Sequence, residues 1–261
     1  MEDYYLIQNN DNIETKLICS MLHSTDKYSL IHSDELDNLI DLEYNIIPIG
    51  NIDFVDKAIR HTDRLYKGQI PIEIPKYLQT DEFLKRSYKI GTWKDIPKSG
   101  WWFIKDASEL KSFSIYANMD FWFNEEYFDY KPTSDLDCSL SLPKDHTYII
   151  SSPYIIKSEY RAYIIDQNLI NISYYKGDPT ILPDIELIKK AIKLINENES
   201  FLKSYSLDLM VGPNGTAIIE IHDFSSLGLY CTTFKRDTIS DLRIAYKQGI
   251  EYLLYDNSIK Y

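Results

Sequence analysis

The stretch Ser206-Leu-Asp-Leu-Met-Val-Gly-Pro-Asn-Gly-Thr-Ala-Ile-Ile-Glu-Ile-His222 is the part of this 261-residue chain whose architecture can be read most directly. Two alternating segments flank a turn signal, which is the pattern of a β-hairpin. Pro213 and Asn214 suit the two right-handed positions of a type I turn, and Gly215 suits the left-handed residue that completes a three-residue loop. Gly212 is then expected opposite Thr216, Val211 opposite Ala217, Leu209 opposite Ile219 and Leu207 opposite Ile221. One face is wholly apolar and has to be buried, which supports this register independently of the turn. The other face carries Asp208 opposite Glu220, with His222 two residues further on and Asp223 just past the strand end, where it can add an oxygen. Facing carboxylates repel by up to ~1 kcal/mol even when solvated. Two readings follow. Either a divalent cation sits between them, with hard oxygen ligands suggesting Mg2+, or the face is solvated and neighbouring lysines relieve the repulsion.

Working outward, strands are predicted at Ser158 to Ile165 and Leu169 to Tyr175 around the turn Asp166-Gln167-Asn168. A helix follows from about Asp184 to Asn196, with Leu187, Ile188, Ala191, Ile192, Leu194 and Ile195 on one face. A closing helix is expected from about Ile239 to Leu254. Upstream lie a helix near Asp81 to Arg86, an aromatic strand Trp101-Trp-Phe-Ile104 and a strand from Thr147 to Ile150. Residues 1–75, with Ile46-Ile-Pro-Ile-Gly50, read as a small N-terminal α/β unit; 76–153 and 154–261 read as a central and a C-terminal subdomain. Hairpins mixed with helices indicate an α+β or mixed α/β fold and not a doubly wound parallel sheet.

Composition excludes several function classes. Hydrophobic residues make up 44% and charged residues 26%, which is ordinary for a globular protein. The net charge is −12 and the basic residues are scattered, so no stripe exists to neutralise a run of nucleic-acid phosphates. Cys19, Cys138 and Cys231 are odd in number and far apart, which fits a reducing cytosol better than a disulfide framework or a zinc site. No signal-like N-terminus and no run of eighteen apolar residues occurs, so neither secretion nor membrane spanning is expected.

Several side chains are candidates for holding an anion. Lys105 ends the strand Trp101 to Ile104, where an apolar stem can fix its ammonium, and Lys111 lies six residues on. Glu159 and Arg161 share one face of their strand, and Arg161 can clamp a phosphate or carboxylate with two hydrogen bonds. Lys176 closes the second strand of that hairpin. Ser151-Ser152-Pro153-Tyr154, between two strands, is a candidate hinge whose backbone reads a base edge, against the plainer reading of a connecting loop. No P-loop, no dinucleotide-binding Gly-x-Gly-x-x-Gly and no Gly-x-Ser-x-Gly elbow is present. His23, His32, His61 and His146 show no ligand spacing and read as structural.

Taken in order, Phe103-Ile-Lys105, Ile150-Ser-Ser-Pro-Tyr154, Ser158-Glu-Tyr-Arg161, Tyr174-Tyr-Lys-Gly-Asp178, Leu207-Asp208 and Glu220-Ile-His-Asp223 resemble an ATP-grasp domain, and specifically a small clade of bacterial and phage ATP-grasp proteins. In that clade the acidic strands lead to Gly-Leu-Tyr, and here the segment reads Ser226-Leu-Gly-Leu-Tyr230. The resemblance implies ATP held between two subdomains, with Lys105 and Lys111 on its phosphates from one side and Arg161 and Lys176 from the other. Arg161 and Lys105 would serve as the catalytic pair. It further implies that Asp208 and Glu220 bind Mg2+ bridging the terminal phosphates. Two departures stand out. His222 replaces the family's asparagine, and imidazole favours softer metals than Mg2+, so either Asp223 substitutes, or Mn2+ is preferred, or metal binding is impaired. The lid also lacks its glycines: none occurs between Gly100 and Gly177, and Ser112, Ser114 and Asn118 are the small or turn-prone residues that stand near Lys111 instead. The function implied is an ATP-dependent ligase joining a carboxylate to an amine of an amino acid, a peptide or a protein terminus. The competing expectation is a degenerate domain that binds nucleotide or a partner without catalysis.

Overall fold

The computed structural model of the protein describes residues 2–10, 13–36, 44–62, 64–68, 72–107, 114–122, 146–230 and 239–254. Its readiest landmark is the predicted hairpin, formed by β10 (Tyr205–Gly212) and β11 (Gly215–Asp223). The tip differs from expectation. Gly212 pairs with Gly215, so the loop has two residues, and Val211, Met210 and Leu209 face Thr216, Ala217 and Ile218. A bulge between Asp208 and Leu209 then leaves Ile219 without a partner and restores the expected pairs Asp208 with Glu220 and Leu207 with Ile221. The one-residue error at the turn is thus cancelled by one extra residue in β11, the compensation that a β-bulge provides. Gly215 takes a φ of +101°, a conformation that side chains with a Cβ rarely adopt.

β8 (Ser158–Ile165) and β9 (Asn168–Gly177) complete an antiparallel sheet of order β11-β10-β8-β9. Ile165 pairs with Asn168. Asp166 and Gln167, the two residues of the intervening turn, both have positive φ, as a tight twisted hairpin requires. Helix α5 (Ile185–Asn198) is capped by the Asp184 carboxylate, which accepts the amides of Glu186 and Leu187. It buries Leu187, Ile188, Ala191, Ile192 and Ile195 against Leu207, Leu209, Val211, Ile218, Ile221, Ala162 and Ile164. One face of the sheet is therefore closed by apolar packing, and the alternating residues point the other way.

The second antiparallel sheet has the order β4-β7-β5-β6, from β4 (Tyr88–Thr92), β5 (Trp101–Asp106), β6 (Ser114–Asn118) and β7 (Thr147–Ser151). Its small core gathers Ile96, Ile104, Ala117, Met119, Tyr148 and Ile150. The segment leading into β4 is fastened to the outer edge of β11, where unpaired backbone would otherwise be exposed. Ile72 bridges to Ile221, and the Arg86 guanidinium donates to the carbonyls of Leu84 and Ile218 at 3.0 and 2.9 Å. Burial pushes the Arg86 guanidinium down to about 10. The short helix α3 (Asp81–Leu84) ends sooner than expected because Lys85 turns left-handed. A four-residue helix, α4 (Met119–Trp122), follows β6.

The N-terminal sheet is parallel, with β1 (Asp3–Gln8) between β2 (Lys27–Ile31) and β3 (Asn45–Ile49). It carries α1 (Ile13–Ser20) and α2 (Ile52–Arg60), the latter capped by Asn51. The closing helix α6 (Ile239–Leu253) belongs to this core: Leu242, Ala245, Tyr246, Ile250 and Leu253 pack with Leu6, Ile7, Ile47, Ile49 and Phe54. Tyr163 and Ile165 of β8, and Phe224 and Leu227 just past β11, enter the same cluster, so the first and last parts of the chain share one interior. The fold is a mixed α/β arrangement, as read from the sequence. Lys111, Ser112, Cys138 and Cys231 fall outside the described residues. Among the described residues no helix is long and apolar enough to cross a membrane.

Candidate functional site

The strand alternation that sends Leu207 and Leu209 to α5 sends Asp208 to the opposite face. There β10 lies between β8 and β11, so that Asp208 has Arg161 as its register partner on one side and Glu220 on the other. Arg161 forks onto Asp208, with Nε to Oδ1 at 2.6 Å and Nη2 to Oδ2 at 2.7 Å. Both side chains are almost fully buried, at 8% and 6% exposure. Glu220 is gripped from two sides: Lys105 Nζ reaches it from β5 at 2.6 Å, and His222 Nε2 lies 2.9 Å from its other oxygen. The same imidazole nitrogen is 3.7 Å from Asp208 Oδ2. The Lys105 contact joins the central sheet to the C-terminal one across the gap between them.

These cations answer the question raised by the facing carboxylates. The expected lysine relief is present in Lys105 at Glu220, and Asp208 has a cation of its own in Arg161. Burial opposes ionisation of Asp208, yet hydrogen bonds from Arg161 and His222 outweigh it and hold the carboxyl below its ordinary value. Glu220 is likewise penalised by burial and held well below the carboxylate range by His222 and Lys105. Burial disfavours a charged His222, but its bonds to Asp208 and Glu220 win and raise it above its ordinary value.

Asp208, Glu220 and His222 each offer a ligand atom, all within 4.8 Å of one another, so the donor set fits a single divalent ion. Two oxygens and one imidazole nitrogen suit Mn2+ better than Mg2+. Asp223 does not join them. It lies on the other face of β11, where its carboxylate accepts the Ser225 amide at 2.8 Å, and burial pushes it up.

Glu159 sits one step along β8 on the same face as Arg161, accepting the Tyr175 hydroxyl at 3.1 Å and Lys176 Nζ at 3.2 Å. Lys176 is 74% exposed and forms the rim. The segment from Ser151 to Tyr154 is more tightly engaged than a free hinge would be. Ser151 Oγ donates to the Ser152 carbonyl, the Ser152 amide donates to Ser87, and the Tyr154 hydroxyl donates to the Gly215 carbonyl. The backbone N–H of Ser152 is therefore not free to read a base edge, which corrects that part of the expectation.

Sequence reading missed the surroundings of Arg161. Its Nη1 donates to the Gly228 carbonyl at 3.1 Å, and its guanidinium lies over the Tyr230 ring at 4.7 Å. Tyr230 stacks in turn on Tyr175 at 4.7 Å. Glu14, on α1, accepts the Leu229 amide at 2.9 Å, and burial pushes its carboxyl up despite that bond and the nearby Arg161 charge. The motif Ser226 to Tyr230 was the available signal for the aromatic part. An acid in the first turn of a helix carries no such signal, because the helix dipole alone accounts for it.

Comparison with known proteins bears on the fold and on the family. No curated protein matches the sequence significantly. The fold is similar to the macrocyclase MdnC from Microcystis aeruginosa MRC bound with precursor peptide MdnA, at 12% identity and a TM-score of 0.53, covering 95% of this chain and 100% of that one. It is similar to N5-carboxyaminoimidazole synthetase from Staphylococcus aureus at 11% identity and a TM-score of 0.53, covering 95% and 77%. It is also similar to a RimK domain protein ATP-grasp from Sphaerobacter thermophilus DSM 20745 at 8% identity and a TM-score of 0.50, covering 96% and 99%. At such identities these likenesses establish the fold alone. Residues 83–236, more than half of the chain, match the model of an ATP-grasp domain family, the second family of its clade, and the protein belongs to that ATP-grasp family.

Proposed function

We propose that this chain is an ATP- and divalent-metal-dependent ligase joining a carboxylate to an amine through an acyl phosphate. The observation that carries the reading is the meeting of Lys105 and Glu220 across the two antiparallel sheets, beside Asp208, His222 and Arg161. A phosphate-gripping ammonium and a metal-holding carboxylate have to be neighbours if both are to touch one triphosphate.

In this reading Lys105 holds the terminal phosphates from the central sheet, and Lys176 neutralises charge at the rim; a phosphate contact by Lys111 stays an expectation of the resemblance alone. Arg161 has five N–H donors, of which Asp208 and Gly228 take three, leaving two for the transferring group. Asp208, Glu220 and His222 would hold the ion, whose positive charge would offset the charge that develops on phosphoryl transfer. The segment from Ser151 to Tyr154, which links the two sheets, frames the base together with Glu159. The substrate carboxylate oxygen attacks the γ-phosphorus as the bond to ADP breaks. The amine nitrogen then attacks the acyl carbon, phosphate leaves with the bonding electrons, and the amine proton is lost. No protein nucleophile is needed, because positioning and fixed charge supply the catalysis. The substrates are an amino acid, a peptide or a protein terminus, and the compartment is the cytoplasm, where ATP and reduced thiols coexist.

A second reading, a nucleotide-binding module without turnover, is favoured by one observation. Arg161, Lys105 and His222 already balance Asp208 and Glu220 without any metal.

The test is thermal unfolding with ATP plus Mg2+ or Mn2+, on the parent and on Glu220→Gln. Asp208→Asn is a poorer probe because it strands the buried Arg161. At a hundredfold excess over Kd the parent should gain about 2.7 kcal/mol, or at least about 5 °C, with Mn2+ the better partner, and Glu220→Gln should lose that gain. A parent indifferent to both metal nucleotides sinks the proposal. Steady ADP formation with carboxylates and amines present excludes the module, and tight binding without turnover across the panel selects it.

A further inference from the structure

The segment Ser225 to Tyr230 belongs to no helix or strand, yet it lies against the buried Arg161 guanidinium. Backbone without a ladder has to find other partners, and here side chains from three elements supply them. Asp223 of β11 accepts the Ser225 amide at 2.8 Å. Glu14 of α1 accepts the Leu229 amide at 2.9 Å. Tyr163 of β8 accepts the Tyr230 amide at 2.9 Å and donates back to the Gly228 carbonyl at 3.3 Å. The start of the segment is seated on α6 at Gly249, where an added Cβ would come within 2.5 Å of the Ser225 nitrogen.

The result at Arg161 is a guanidinium fixed on three sides. Asp208 holds one edge, the Gly228 carbonyl holds another, and the Tyr230 ring supports the face. An edge fork alone leaves the plane free to tilt about the carboxylate, whereas a ring beneath it removes that freedom. Tyr230 is kept under the guanidinium by stacking on Tyr175 and by the anchored backbone before it. The Leu229 anchor is Glu14, 215 residues away and on the N-terminal unit.

Resting on the reading of Arg161 given above, we propose that Tyr230 is a positioning residue for the Arg161 guanidinium, and that Glu14 of the N-terminal unit holds it in place through the Leu229 amide. The N-terminal unit thereby completes the phosphate site without touching the nucleotide. The ring and not the hydroxyl carries the function of Tyr230, and any acceptor oxygen suffices at Glu14.

The experiment is calorimetric titration of the full chain with Mn-ATP, with apo melting curves as a folding control. Tyr230→Leu and Glu14→Ala should each weaken binding about tenfold, the scale of a lost cation–π support. Tyr230→Phe and Glu14→Gln should bind within about twofold of the parent. In an Arg161→Lys background, where no planar guanidinium remains to be aligned, Tyr230→Leu should cost nothing further. Parental affinity in Tyr230→Leu overturns the proposal, as does a full additional loss on top of Arg161→Lys. If Glu14→Ala does not fold, Tyr230→Leu decides alone, since Tyr230 is 50% exposed and its replacement leaves no enclosed cavity. A parent that binds no Mn-ATP instead overturns the reading of Arg161 itself.

Discussion

The two faces of the C-terminal sheet are made by the same strands and obey opposite rules. On the side of α5, Leu207, Leu209 and Val211 meet Leu187, Ile188 and Ala191, and each contact adds a little. On the other side, Asp208, Arg161, Glu220, His222 and Lys105 form a chain in which each charge is acceptable only because its neighbour is present. Apolar packing fails in proportion to the volume removed. A buried charge network fails by stranding a partner. The site face is therefore the more fragile of the two to loss of a single partner.

The largest effect that tests this contrast is Asp208→Ala, which leaves the Arg161 guanidinium buried and unpaired and should lower stability by about 3–5 kcal/mol in chemical denaturation. Adding Arg161→Met should restore most of the loss. If the double variant is as unstable as the single one, stranded charge is not the cause. Next comes Leu209→Ala on the opposite face, expected to cost about 2–5 kcal/mol according to how far the core can relax. No second substitution on β8 should rescue it.

The smallest and sharpest test is the dependence on pH. His222 is raised above 6.5 in the folded state, so its contribution is fully present below that value and is lost as pH rises through the raised one. Glu220 is depressed below 4.5, so its contribution is present above that value and disappears as pH falls through the lowered one. Melting temperature measured against pH should therefore decline on both sides of a plateau. His222→Gln should remove the alkaline decline, whereas Leu209→Ala should lower the whole curve without changing its shape. An unchanged alkaline limb in His222→Gln would show that the imidazole does not hold the carboxylates together.

The legible parts of the molecule were those decided over short distances along the chain. The β8–β9 hairpin, α5 and the facing of Asp208 by Glu220 all follow from alternation, turn chemistry and capping within a few residues. The hairpin tip was misread because a two-residue loop with a bulge and a three-residue loop without one give the same pairing below Leu209. Asp223 differs from expectation because β11 extends to include it, and within a strand the residue next to His222 emerges on the opposite face.

By itself the sequence determined which residues alternate, where the chain turns, and that two carboxylates must share one face, because those outcomes depend on local sterics and on period-two burial. Only the tertiary structure decided that Arg161, 47 residues from Asp208, would neutralise it, that Lys105 would cross 115 residues to Glu220, and that Glu14 would reach Leu229 from the other end of the chain. Such pairings depend on which strands and units become neighbours, and that is settled by the burial of whole faces together, a sum to which no single residue's pattern points.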